Sequence, residues 1–112
     1  NFNAESYLKY QGEKLANRFN AYSYWQLTKA MDSHNLARGR GKMENVLKQI
    51  RAKTLVIGIS SDILCPVAEQ KFLAEHIPNA QFIEINSPYG HDGFLIEYAK
   101  LKKHIIEFLS LK

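Results

Sequence analysis

Only one cysteine, Cys65, occurs in the 112-residue sequence. An internal disulfide is therefore excluded, and the setting this fits is a reducing, cytoplasmic one. Long apolar runs are missing as well. The longest, Thr54–Ile59, falls far short of the roughly 20 residues that span a bilayer. No charged, then apolar, then small-residue leader opens the chain, so no secretion signal is read. The first residue is Asn1 rather than Met, and the expectation is a processed or truncated chain. Repeats and low-complexity tracts are absent. An apolar share of 46% with 23% charged residues is that of a globular protein and argues against disorder. The net charge of +4 is scattered, apart from a cluster at residues 38–42, Arg-Gly-Arg-Gly-Lys. No aromatic stacking pattern accompanies that cluster, so it reads as a solvated glycine-rich loop and no nucleic-acid partner is expected.

What is present falls into two parts. Residues 1–50 read as a helical segment. Apolar residues recur at the helical period over residues 5–19, at Leu8, Leu15 and Phe19. Asn20 is a candidate N-cap for a second helix over 21–33, apolar on more than one face and expected to pack on two sides. A short helix is expected over 43–50. From residue 51 to 112 the pattern changes to strand, loop, helix, strand, loop, helix. Thr54–Ile59 is a β-branched run of the kind buried on both faces of a parallel sheet. Pro66 opens a helix to about residue 77, Pro78 and Asn79 break it, and residues 81–85 form a second strand. A last helix over 93–109 places Leu95, Tyr98, Leu101, Ile105 and Leu109 on one stripe. The rhythm is that of an α/β fold with a parallel sheet.

In open parallel sheets ligands bind at the carboxyl ends of the strands. Asp62 follows the first strand and His91 the second, so both belong at one rim. A carboxylate that orients a histidine, and a histidine that moves a proton, are the last two members of a Ser-His-Asp triad, in the chain order of α/β hydrolases. The bland alternative is equally open from position alone: Asp62 caps the following helix, and His91 lies in a helix-start turn capped by Asp92. Ser60 and Ser61 lack the Gly-x-Ser-x-Gly elbow and share a loop with Asp62, so they read as loop hydroxyls rather than nucleophiles. Cys65, one position before a proline, is a conceivable nucleophile with His91, but it reads rather as a small core thiol, since nothing basic in the local sequence activates it. His34, His76, His91 and His104 show no ligand spacing, so no metal is expected.

These residues resemble a known family. The segments ESYLKYQGEKLANRFNAYSYWQLTKAMDSHNLARGRG, TLVIGISSDILCP and YGHDGFL are similar to the C-terminal part of homoserine O-acetyltransferases. The likeness runs over nearly the whole chain. The resemblance implies the C-terminal portion of an α/β-hydrolase fold, preceded by a helical lid hairpin that pairs subunits into a homodimer. It implies acetyl transfer from acetyl-CoA, a co-substrate and not a permanently bound cofactor, to the hydroxyl of L-homoserine in methionine biosynthesis. Asp62 would orient the histidine, His91 would be general base and acid, and Asp92 would bind the homoserine ammonium. A homoserine succinyltransferase or serine acetyltransferase of the same fold remains open, as does a non-catalytic dimerising fragment. The chain departs from the family in two ways. The family's nucleophile, oxyanion-hole segment and substrate-carboxylate arginine have no match in this sequence, and Cys65 stands where an aromatic residue is usual before the proline. A fragment docked on its missing half, or an oligomer hiding the exposed sheet edge, is the resulting expectation.

Overall fold

The computed structural model describes residues 2–110. Among them the order is α1 (Asn3–Arg18), α2 (Ala21–Asp32), α3 (Met43–Leu47), β1 (Thr54–Ile59), α4 (Val67–His76), β2 (Ala80–Ile85), a 3-10 turn (Gly90–Asp92), α5 (Gly93–Ile96) and α6 (Tyr98–Ser110). The architecture is α/β, with a parallel two-stranded sheet. Two compact units divide between Asn35 and Leu36. The compositional change at residues 51–53 lies later, but α3 buries Val46 and Leu47 and packs near α4, so it goes with the second unit.

The first unit holds α1 and α2. The side-chain oxygen of Asn20 accepts from the Ser23 amide at 2.7 Å, so the expected N-cap of α2 forms. No residue of either helix is buried. The two-sided packing expected for α2 therefore does not occur here. A unit of two helices has too little surface to cover Tyr22, Trp25, Leu27 and Met31, all of which are exposed. Tyr22 and Trp25 instead pack on one another, with ring centroids 5.7 Å apart, and the Lys29 ammonium lies 4.3 Å from the Trp25 ring.

The second unit is built on the sheet. The strands pair in parallel from Thr54 opposite Ala80 to Ile59 opposite Ile85. Helix α4 joins them and packs on both, as a parallel connection demands. It begins after Pro66, which needs no amide partner there, and it ends ahead of Pro78, with Asn79 turning the chain at φ 60°. The core consists of Val46 and Leu47 of α3, Val56 and Ile59 of β1, Ile77 and Ile85. Leu55 and Ile57 are only half buried, so β1 is not covered on both faces as its sequence suggests. With one neighbouring strand and one helix layer, nothing in this unit can cover the rest.

The last helix differs from its sequence pattern. It breaks at Glu97, whose ψ of 34° leaves the helical range, and becomes α5 and α6. The break shifts the phase of the apolar repeat. Leu95, Tyr98 and Leu109 are exposed, and the more sheltered line on α6 is Leu101, His104 and Phe108. Among the described residues no helix is long and apolar enough to cross a membrane. Leu47 is the most buried apolar side chain, at 1% exposure. Leu47→Ala is expected to lower unfolding stability by about 2–5 kcal/mol, because the small core cannot collapse around the void. The urea midpoint, with its slope unchanged, measures it.

Candidate functional site

Because the two strands are parallel and in register, their carboxyl ends lie side by side. The ladder extends one bond beyond them, from the Ser60 amide to the Ile85 carbonyl at 3.0 Å. Two loops leave this rim. The first carries Asp62 and the second carries His91. Asp62 Oδ2 lies 2.8 Å from His91 Nδ1. Asp62 Oδ1 accepts from the amides of Leu64 at 2.8 Å and Cys65 at 2.9 Å. One carboxylate oxygen therefore shapes its own loop, and the other holds the histidine. The helix after this loop is capped by Pro66, with no side-chain capping bond, so Asp62 is not simply its N-cap.

Asp62 is buried and the His91 side chain is 42% exposed. The Cys65 amide bond is the largest influence holding the Asp62 carboxyl below its ordinary range. Burial opposes it, and the bonds from His91 and Leu64 and the charge of His91 add to it. An ionised carboxylate only accepts, so the shared hydrogen sits on His91 Nδ1, and in the neutral ring Nε2 is the acceptor. The arrangement can orient an imidazole, fix its tautomer and stabilise the imidazolium that forms when Nε2 takes a proton. Phe94 meets the His91 ring edge-on at 5.5 Å.

Several residues that position the dyad were read from the sequence only as loop polarity. Ser60 Oγ accepts from the Ser87 amide at 3.1 Å and faces Asn86 Oδ1 and the Ser87 carbonyl at 3.2 and 3.3 Å. Ser61 Oγ donates to the Ser87 carbonyl and accepts from the Gly90 amide at 2.8 Å. The two hydroxyls thus tie the aspartate loop to the histidine loop. Ser87 is 2% exposed, and its hydroxyl reaches Glu97. Lys100 bridges Glu97 Oε2 and the Asn86 carbonyl, each at 2.9 Å. That lysine is the largest cause of a lowered Glu97 carboxyl; burial opposes it, and the Ser87 hydroxyl assists. The signal available in the sequence was the pair of hydroxyls immediately after a β-branched strand.

The two glycines around the histidine do different jobs. Gly90 has φ +59°, a left-handed conformation that glycine enters without strain. Gly93 is helical at φ −51°, so its role is space: a Cβ there would meet Ile59 Cγ2 at 2.7 Å. Asp92 lies exposed between them and makes no capping bond to α5, leaving its carboxylate free of the role that the bland alternative assigned it. Cys65 is exposed, not the core thiol expected, because its loop runs along the open rim. One ligand atom each from Asp62, Cys65 and His91 lies within 4.8 Å of the others. His76 ends α4, where its Nδ1 meets the Phe72 carbonyl at 2.8 Å.

No protein-family model matches the chain. Curated relatives do. The chain is 54% identical over 101 residues to the homoserine O-acetyltransferase of Cyclobacterium marinum, covering 90% of this chain and 29% of the relative. It is 50% identical to the enzymes so named from Chlorobium chlorochromatii and Saccharomyces cerevisiae, over 97% of its length and 30% and 23% of theirs. The family resemblance read from the sequence is thus borne out, and the chain spans less than a third of the length of these relatives.

A carboxyl held low in the fold stabilises it above the unfolded value, and that share disappears as pH falls through the folded value. Asp62 and Glu97 are both of this kind. Stability in urea should therefore lose their contribution only below about pH 4, and Asp62→Asn should flatten part of that acid limb. Gly93→Ala should cost about 1–3 kcal/mol in the same measurement, since Ile59 and Ser87 must yield to the added methyl.

Proposed function

We propose that this chain is the C-terminal part of a homoserine O-acetyltransferase, an acyltransferase of the α/β-hydrolase fold. The observation that carries the reading is the 2.8 Å bond between Asp62 and His91, two residues 29 positions apart that meet at the carboxyl rim of a parallel sheet. About half of all aligned positions are shared with proteins of that name.

In this reading His91 Nε2 takes the proton of a serine supplied by sequence outside this chain, as the serine oxygen attacks the thioester carbonyl of acetyl-CoA. Asp62 holds the ring and offsets the imidazolium charge. The proton then passes to the departing thiolate of coenzyme A, leaving an acetyl-serine. In the second half His91 takes the hydroxyl proton of homoserine, whose oxygen attacks the acetyl carbon. His91 then returns that proton to the departing serine oxygen, restoring the free serine and the neutral ring. Asp92 pairs with the homoserine ammonium, since a carboxylate is the charge-assisted partner for that group. The first unit is read as a lid segment through which two subunits pair. The enzyme acts in the cytoplasm, in methionine biosynthesis.

The test is transfer of acetyl from acetyl-CoA to homoserine by the full-length protein. Asp62→Asn should lower kcat by about 10⁴-fold through loss of the correct tautomer, and His91→Ala by at least as much. Asp92→Asn should act chiefly on KM for homoserine. Robust turnover by the 112 residues alone would overturn the assignment of the nucleophile to outside sequence.

A further inference from the structure

We propose that Asp62, Cys65 and His91 form a binding site for a thiophilic divalent cation of the Zn²⁺ class. The β1–α4 loop supplies the carboxylate and the thiol, and the 3-10 turn supplies the imidazole. One ligand atom from each lies within 4.8 Å of the other two. Oxygen, sulfur and nitrogen donors from three side chains, with a fourth position left to water, are the coordination that this ion takes in open sites.

The geometry is close to what the ion needs. Metal–ligand lengths of about 2.0–2.3 Å in a tetrahedron put neighbouring donors about 3.3–3.6 Å apart. The Asp62–His91 pair at 2.8 Å must widen by a few tenths of an ångström, and the thiol, within 4.8 Å of both, needs to close in by no more than about 1.5 Å. Two of the three ligands are already held. Two amides fix Asp62 Oδ1 and so aim Oδ2 at the histidine, and the clamp from Ser61 to Gly90 fixes the turn that carries His91. Cys65 is exposed, so its side chain can rotate and an ion can arrive from solvent.

The charges balance. A carboxylate and a thiolate offset the two positive charges, the imidazole binds neutral, and the thiol proton is released to water. Thiolate and imidazole favour Zn²⁺ or Co²⁺ over the hard cations Mg²⁺ and Ca²⁺, which take oxygen ligands. If the ion takes Nδ1, it replaces the bond to Asp62. If it takes Nε2, it occupies the nitrogen that accepts the proton. Binding itself is independent of the proposed acetyl transfer.

The test uses the full-length protein and three readouts that do not depend on activity. Alkylation of Cys65 by iodoacetamide, followed by mass mapping of its peptide, should slow at least about tenfold in Zn²⁺ and stay unchanged in Mg²⁺. Co²⁺ should give a thiolate-to-metal absorption band that is absent in Cys65→Ala. The His91 imidazole resonances should shift when Zn²⁺ is added. His91→Ala should weaken Co²⁺ by about tenfold or more. An alkylation rate indifferent to Zn²⁺ would overturn the site, and so would equal protection by Mg²⁺ or unmoved His91 resonances. The protection experiment needs no variant, so a misfolded His91→Ala protein leaves the outcome decided.

Discussion

Parallel, in-register pairing of β1 with β2 is the constraint on which the rest depends. Setting Ile59 opposite Ile85 makes both chains leave the sheet at one edge and in one direction. An antiparallel pair would send the two loops to opposite ends, and Asp62 could not reach His91. The parallel arrangement in turn requires a crossover, and α4 supplies it while covering one face of the sheet.

Past the strand ends the order comes from neutral hydroxyls more than from charge. Ser60 and Ser61 make the same kind of bonds to the second loop that the backbone makes within the sheet. Each such bond contributes about 0.5–1.5 kcal/mol net, while ordering each loop residue costs about 1–2 kcal/mol. No single bond can hold the histidine turn. The bonds succeed together, with Glu97 and Lys100 anchoring the far side of Ser87. Among the described residues no buried side-chain nitrogen or oxygen lacks a partner, so the rim is held without an orphaned polar group.

The same economy explains what stays uncovered. A two-stranded sheet with one helix layer shelters only a small core, and a two-helix unit shelters none. Trp25, Phe94, Ile96 and Ile106 stay exposed in a chain that spans less than a third of the length of its relatives. In the proposed enzyme further strands and helices would cover such surfaces.

Much of the local structure was legible in advance. The β-branched run from Thr54 to Ile59, the cap at Asn20 and the proline signals at Pro66 and Pro78 depend on residues within a few positions of one another, and those signals are carried by the chain itself. So was the placement of Asp62 and His91 after successive strands. Their choice between helix cap and dyad was not legible, because it turns on a contact between residues 29 apart. The break at Glu97 was hidden for a similar reason: the apolar period continues through it, and Glu97 reaches Ser87, on the loop before the helix. Sequence alone determined where helix and strand lie, apart from the break at Glu97, and which residues carry titratable chemistry, since propensity and periodicity act locally. Only the tertiary structure decided which of Asp62's oxygens faces the histidine, that two serines clamp the loops, and that Cys65 opens onto the same rim, because each depends on how far apart distant segments come to rest.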